Sequence, residues 1–146
     1  MITTISFKVI SIGGEGFHLL LKIIINGKIA NVIVDTGASK TVFDLKRIKK
    51  YVEEKKFKKH SKLSVGLGTD KIKSEFTTIK KLEIGDLLIN NYNIVLMDLS
   101  HVNQSYKDLG LKQVVGVLGS DILLEYKAVI NYEKKQLTLK YKKAKK

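Results

Sequence analysis

The chain has 146 residues, of which 44% are apolar, and its 27 basic and 14 acidic side chains give a formal net charge of +13. This composition excludes a disordered chain and predicts one folded domain over residues 1–141, followed by a basic, flexible tail over 142–146. Because cysteine is absent, disulfides and thiolate zinc sites are excluded.

The first half of the sequence is patterned as short strands with glycine turns. Ile5, Phe7 and Val9 alternate with polar residues, as in a half-buried strand, and a glycine-rich turn at 13–16 ends that pattern. Asn26-Gly27 is a strong two-residue hairpin signal between apolar runs. The apolar runs on either side of it are predicted strands, Phe17–Ile25 and Lys28–Val34. A short helix is predicted within Thr41–Tyr51, with Asp44 near its start, and a hairpin over Ser64–Lys73.

The second half continues the same pattern with two short helices. One helix is predicted over Asn103–Leu109, capped by Asn103 and closed by Gly110, and another runs from Gly119-Ser120-Asp121 to about Tyr126, with Ser120 as its cap. The strands are Phe76–Ile84, Leu87–Met97, Val114–Leu118, Val129–Ile130 and Gln136–Tyr141. Many short strands and little helix predict an all-β, barrel-like domain.

Asp35 is the most informative acidic residue because it directly follows the aliphatic run Val32-Ile33-Val34. An acid at the end of a buried strand is costly unless hydrogen bonds or chemistry compensate, so we expect a held, partly desolvated carboxylate. Thr36 and Gly37 supply a hydroxyl and a permissive backbone where the chain must turn. A plain strand-ending turn is the alternative.

Several motifs in series resemble the retropepsin-like aspartic proteases, particularly their single-domain bacterial members. They are Asn26-Gly27, Asp35-Thr36-Gly37-Ala38-Ser39, Ile84-Gly85, Val115-Gly116-Val117-Leu118-Gly119-Ser120-Asp121, Ala128-Val129-Ile130-Asn131-Tyr132 and Leu137-Thr138-Leu139. The similarity covers about Phe17 to Tyr141. It implies an acid-protease barrel with a flap hairpin and one or two short helices.

The resemblance also implies roles for the matching residues. Asp35 would be the catalytic acid, supported by the loop residues Thr36, Gly37, Ala38 and Ser39, with Thr36 bracing two such loops across a dimer. Leu118 and Gly119 would pack behind this loop, with Leu118 also edging a substrate pocket. The substrate-binding flap would be formed by Gly66, Leu67, Gly68 and Thr69.

Peptide hydrolysis by this route needs two carboxylates around one water, and the sequence contains one Asp-Thr-Gly and no Asp-Ser-Gly. Asp121 follows a glycine at a predicted helix start, where interaction with the helix dipole is the favoured interpretation. A two-fold homodimer would instead supply Asp35 twice. Two such charges about 3 Å apart would repel by roughly 5 kcal/mol, so the pair must share one proton.

Competing chemistries have weaker support. The three histidines, His18, His60 and His101, have no zinc-ligand spacing, no Gly-x-Ser-x-Gly motif is present, and we expect neither a metal nor a cofactor. His18 lies in a strand-like run, which favours a structural role. Our leading hypothesis is a homodimeric aspartic endopeptidase acting on peptides or proteins, and the alternative is a protease-like module that binds peptides or assembles without cutting.

Charge and hydropathy bear on partners and location. Arg47 is the single arginine, and the lysine-rich stretch Lys46–Lys62 has few aromatic residues, so a solvated helix face or loop is favoured over a specific nucleic-acid surface. No run approaches the ~20 apolar residues of a membrane helix. No secretion signal is visible, so we expect a cytoplasmic location. The alternative is that a signal peptide was removed beforehand.

Overall fold

Short strands dominate the computed structural model, which describes residues 1–54, 57–59 and 75–143. The strands are β1 (Ile2–Ser6), β2 (Lys8–Ser11), β3 (Phe17–Ile25), β4 (Lys28–Val34), β5 (Val42–Asp44), β6 (Lys58–Lys59), β7 (Glu75–Ile84), β8 (Leu87–Met97), β9 (Gly116–Leu118), β10 (Val129–Asn131) and β11 (Gln136–Lys140). The helices are α1 (Ser100–Asp108) and α2 (Ser120–Glu125), with a 3-10 turn at Arg47–Lys50.

Within the described residues, the larger sheet closes on itself as a barrel. Its strands follow the order β2-β3-β4-β9-β5-β8-β7-β6, and an additional pairing of β3 with β7 joins six of them into a ring. The β4–β9 and β5–β8 pairs are parallel, and the other neighbours are antiparallel. The alternating residues of these strands fill the interior, and the prediction of an all-β barrel is confirmed.

A second sheet in the same ranges has the order β1-β11-β10 and covers one side of the barrel. The sequence predicted one strand through Ile5, Phe7 and Val9, and this is wrong, because the chain leaves β1 at Ser6 and enters the other sheet at Lys8. Phe7 lies between them, buried in the core, and its N–H donates to the carbonyl of Lys135 at 3.0 Å.

The β3–β4 hairpin is the element that delivers Asp35, and its predicted limits are confirmed at both strands. Its turn residues have positive φ, 49° at Asn26 and 83° at Gly27, which explains why an Asn-Gly pair is suited to this position. The turn at Gly85 also needs glycine, because an added Cβ would lie 2.5 Å from Thr3 Oγ1.

The short helix predicted within Thr41–Tyr51 is confirmed only as the 3-10 turn at Arg47–Lys50. Val42–Asp44 is instead a strand inserted between β8 and β9, followed by the 3-10 turn. The Asp44 carboxylate is buried and accepts hydrogen bonds from the backbone N–H groups of Arg47 at 3.0 Å and Leu99 at 2.9 Å. Tertiary pairing to two strands therefore overrides the local helical pattern.

Both predicted helix caps are also wrong. Helix α1 begins at Ser100, so Asn103 lies inside it, buried at 4% exposure. Its side chain pairs with Val114 in both directions, accepting from the N–H at 2.7 Å and donating to the carbonyl at 3.0 Å. At α2 the cap position is occupied by Gly119, with no side-chain capping bond, and Ser120 is the first helical residue.

The hairpin tip predicted over Gly66 to Asp70 lies outside the described residues. In the part of the chain that the structure describes, no helix is both long and apolar enough to cross a membrane.

The Asn103–Val114 pairing generates a prediction for stability. Replacing Asn103 by Ala would leave a buried N–H and a buried carbonyl unpaired, so we expect the free energy of unfolding to fall by about 2–3 kcal/mol. Urea denaturation measures this change. Gln104→Ala, on the exposed side of the same helix, is the matched control and should change stability by less than about 0.5 kcal/mol; equal effects of the two variants would contradict the assigned role.

Candidate active site

The candidate site lies where two parallel strands end side by side. Val34, the last residue of β4, pairs with Leu118, the last residue of β9, and the next N–H, that of Asp35, donates to the Leu118 carbonyl at 3.0 Å. The chain then crosses the end of β9 and returns on its other side as β5. Asp35 therefore stands on a loop, residues 35–41, anchored on both sides of one buried strand.

The Asp35 carboxylate is oriented by its own turn. The N–H of Gly37 donates to Oδ1 at 2.9 Å, and the N–H of Ala38 donates to the Asp35 carbonyl at 3.2 Å. A Cβ on residue 37 would lie 3.3 Å from Oδ1, so glycine allows this close approach. In the described residues the other carboxylate oxygen has no hydrogen-bond partner, which leaves it available to a ligand.

Asp35 is exposed in this single chain, as are Thr36, Gly37 and Ser39, whereas Ala38 is half-buried. The expectation that the carboxylate is partly desolvated is therefore wrong for one isolated copy. The preceding strand residues are buried as predicted, but the turn lifts the acid out of the core instead of leaving it there.

A partly buried hydrogen-bond network fixes the far end of this loop. The carboxylate of Asp121 accepts from the N–H of Thr41 at 3.0 Å, from its hydroxyl at 2.7 Å and from the N–H of Ile122 at 2.8 Å. The Thr41 hydroxyl in turn accepts from the N–H of Gly119 at 2.9 Å. We refer to these four residues as the Thr41 network.

This network decides the role of Asp121. Its oxygens are occupied by the loop and by the first turn of α2, so the interpretation of Asp121 as structural is supported over a second catalytic acid. The sequence analysis missed Thr41, which is only 3% exposed. The one indication of this role in the sequence is that Thr41 is polar and directly precedes the apolar pair Val42-Phe43.

Gly119 and Leu118 pack behind the loop. A Cβ on Gly119 would lie 2.7 Å from the Lys40 carbonyl and 2.8 Å from the Ala38 carbonyl, so no other residue fits without moving the loop. The Ala38 carbonyl also accepts from the N–H of Ser120 at 2.7 Å. Leu118 is buried at 1% exposure, and its expected role at the edge of a substrate pocket stays a prediction.

A tyrosine near the network stays neutral. Burial, and then the negative charge of Asp121, raise the pKa of Tyr92 to about 12. Tyr92 therefore keeps its proton at neutral pH and adds no second anion beside the Asp121 carboxylate.

His18 has a structural partner, as the sequence favoured. Its Nδ1 lies 2.8 Å from the hydroxyl of Tyr106, a residue of α1 that is 1% exposed. Burial raises the pKa of Tyr106 to about 12, so its hydroxyl remains protonated at neutral pH and can donate to the imidazole. Since Leu19, the next residue, pairs with Val34, this bond attaches α1 to the sheet close to the Asp35 turn.

The two remaining expectations concern the flap and metal binding. The flap residues Gly66, Leu67, Gly68 and Thr69 lie outside the described ranges. In residues 1–54, 57–59 and 75–143, no group of three or more His, Asp or Glu side chains could hold a metal ion.

Comparison with solved structures shows which fold this closed barrel has. The chain resembles a retropepsin-like aspartic protease from Rickettsia conorii with a TM-score of 0.57 and 19% identity, over 97% of this chain and 90% of that one. It also resembles the retroviral protease-like domain of Ddi1 from Leishmania major, with a TM-score of 0.56, 15% identity and coverage of 84% and 87%.

A third similar structure is the EIAV protease in complex with the inhibitor HBY-793, with a TM-score of 0.52, 18% identity and coverage of 80% and 93%. No curated protein matches the sequence. The model of the aspartyl protease family matches residues 21–122, which include both Asp35 and Asp121. The chain therefore belongs to the aspartyl protease family, and its fold is retropepsin-like.

The Thr41 network can be tested by substitution. Thr41→Val keeps the side-chain shape but removes a bond to a carboxylate and leaves the buried Gly119 N–H unpaired, so we expect the free energy of unfolding to fall by about 2–3 kcal/mol. Chemical denaturation measures the change. Thr4→Val, at an exposed position of β1, is the matched control and should stay within about 0.5 kcal/mol of the parent. Similar losses for both variants would refute the network's importance.

Proposed function

We propose that this protein is an aspartic endopeptidase in which the Asp35 carboxylates of two copies activate one water molecule. The observation that supports the proposal best is the Asp35 turn itself, where one carboxylate oxygen is held at 2.9 Å by the Gly37 N–H. The far end of the loop is fixed by the buried Thr41 side chain while the acid remains exposed.

One chain provides half of the required machinery. The chemistry needs a base that removes a proton from water and an acid that protonates the substrate carbonyl. Asp121 is committed to the Thr41 network, and the sequence contains no second Asp-Thr-Gly. A symmetric homodimer would place two Asp35 residues at its axis and would also cover the carboxylates that are exposed in one copy.

The reaction then follows from the charge of the pair. Because both carboxylates cannot be ionised at about 3 Å without a cost of roughly 5 kcal/mol, one of them keeps a proton. The ionised Asp35 takes a proton from water as the water oxygen attacks the peptide carbonyl carbon, and the protonated Asp35 donates to the carbonyl oxygen. The Asp35 that took the water proton then gives it to the amide nitrogen, and as the C–N bond breaks the other Asp35 takes a hydroxyl proton from the intermediate, which leaves a carboxylic acid, an amine and a pair with one proton.

In the proposed enzyme, the remaining site residues position the substrate and the two acids and do not take part in the chemistry themselves. Gly37 would let the substrate backbone approach the acids, Thr36 would brace the two loops across the dimer, and Ala38 and Ser39 would shape the loop. The flap residues Gly66, Leu67, Gly68 and Thr69 would close over the peptide.

The Asp35→Asn variant tests the chemistry. The amide cannot act as a base, so we expect cleavage of a peptide library to be lost while the free energy of unfolding changes by less than about 0.5 kcal/mol, because the Asn amide oxygen can still accept from the Gly37 N–H. Mass spectrometry of the digests provides the measurement. The parent should also show a bell-shaped pH–rate profile, since the active form has one proton on the pair.

The matched control is Asp86→Asn, which makes the same chemical change at an exposed turn position between β7 and β8. This variant should cleave like the parent. Cleavage that persists in Asp35→Asn would refute the proposed chemistry. Peptide binding without turnover in the parent would instead favour a protease-like module that binds peptides without cutting.

Assembly is a separate prediction. Each chain has a net charge of +13, so two copies repel, and we expect added salt to strengthen the dimer by screening that repulsion. Sedimentation velocity at low and high salt measures the association constant, and a pepstatin-type inhibitor should strengthen association further by binding both acids. A chain that cleaves peptides yet sediments as a monomer at every concentration would contradict the dimeric site.

A further inference from the structure

A cavity of about 930 Å³ lies where the start of β1 and the end of β11 meet the β7–β8 turn and the end of α2. Strand β8 runs from this cavity toward the candidate active site. Leu88 lines the cavity, whereas Val95, seven residues later, pairs with Val42 beside Thr41. At about 3.3 Å per residue, the two places are roughly 23 Å apart along the strand, so the cavity is separate from the Asp35 loop.

Hydrogen bonds between these four parts of the chain build the cavity before any ligand binds. The N–H of Lys140 donates to the Tyr126 carbonyl at 2.7 Å, which joins β11 to the end of α2. Lys140 also pairs with Ile2 in the antiparallel ladder of β11 and β1. The N–H of Asp86 donates to Thr3 Oγ1 at 2.9 Å, which joins the β7–β8 turn to β1. The cavity is therefore a preformed part of the fold.

Three exposed, large apolar side chains meet at this cavity. They come from the start of the chain and from the start of β8, and the exposed fraction of each is 47% or more: Met1, Ile2 and Leu88. The neighbouring Leu87, which is buried, also lines the cavity. Single apolar side chains scattered over a surface need no explanation, but a group of them at one concave place indicates a binding site.

The rest of the lining is mainly cationic. It contains four exposed lysines, from the end of α2, the end of β11 and the residues that follow β11: Lys127, Lys140, Lys142 and Lys143. Asp86 and Glu125 are the acidic side chains in the described lining, so lysine outnumbers acid there. Each lysine is a compact charge on a flexible stem, which attracts an anionic group without fixing its orientation. The lining therefore suits a ligand that is apolar and carries one anionic group.

The chemistry of the lining also favours an acyl chain over a peptide. Among the described residues that line the cavity, none is Ser, Thr, Asn, Gln or Arg. A peptide bound there would bury amide groups with few side chains to pair with them, and unpaired burial of amides is costly. An acyl chain has no polar group apart from its head.

We propose that this cavity binds a free fatty acid, with its acyl chain against the exposed apolar side chains and its carboxylate among the lysines. The volume lies within the range of about 300–1,000 Å³ that is typical of small-molecule sites. A concave site takes a single acyl chain from solution, whereas a bilayer presents its anionic head groups as a flat surface. The assignment is independent of the proposed function, because the cavity is remote from Asp35.

Isothermal titration calorimetry of the full chain with octanoate, decanoate and laurate, each below its micelle-forming concentration, tests the proposal. We expect one saturable site, with a Kd that falls about tenfold for each two methylene groups added while the chain still fits. Decanol lacks the charge and should bind at least about fivefold more weakly than decanoate. With decanoate, the amide chemical shifts of Ile2, Leu88 and Lys140 should change, and those of the Asp35 loop should not.

Charge reversal locates the carboxylate. The double variant Lys142→Glu, Lys143→Glu should weaken decanoate binding by about tenfold, because two attractive charges become repulsive. The matched control is Lys22→Glu, Lys134→Glu, which changes the net charge equally at two exposed lysines that do not line the cavity. This control should bind within about twofold of the parent. Equal losses in the two double variants would overturn the site and leave general attraction by the net charge of +13 as the explanation.

Leu88→Ser tests the apolar contact and should weaken laurate binding by about fivefold. Its control is Ile29→Ser, at an exposed apolar position of β4 outside the cavity, which should bind like the parent. Three results would overturn the proposal: no saturable binding of any fatty acid, binding to vesicles of anionic lipid but not to monomeric laurate, or binding of an acidic, leucine-containing peptide but not of laurate.

Discussion

The Thr41 hydroxyl is the group on which the candidate site depends most. It donates to the Asp121 carboxylate at 2.7 Å and accepts from the Gly119 N–H at 2.9 Å, so one small side chain joins the loop, the end of β9 and the start of α2. The Thr41 side chain is itself buried, and a carboxylate acceptor makes a hydrogen bond stronger than a neutral acceptor does. The loop ahead of them can therefore expose an acid without becoming disordered.

The barrel supports this arrangement by its strand order. Strand β9 pairs in parallel with β4 and antiparallel with β5, so the loop between those two strands must pass over its end. Gly116 is needed for this packing, because an added Cβ would lie 2.7 Å from the Phe43 ring and from the Val42 carbonyl. Gly116 in β9 thus allows the strands to come together, and the position of Asp35 follows from that approach.

Local sequence signals predicted the elements whose cause is local. The limits of the β3–β4 hairpin were predictable because Asn26-Gly27 favours one turn type and the flanking runs are long and apolar. The strand Val42–Asp44 was not, because it exists only by pairing with β8 and β9, which are distant in sequence. Asn103 resembled a helix cap, but its two bonds to Val114 are tertiary. The Asp35 motif could be recognised in the sequence. Its support by Thr41 could not, because it depends on a bond to Asp121, 80 residues further along the chain.

The parallel pairing of β4 with β9 also bears on synthesis of the chain at the ribosome. Asp35 emerges early, but Leu118 and Asp121, which position its loop, emerge more than 80 residues later. Because a non-local pairing cannot form before both partners exist, a nascent chain that ends before β9 has the acid without its scaffold. The order of the strands thereby delays assembly of the site until β9 and α2 have been made.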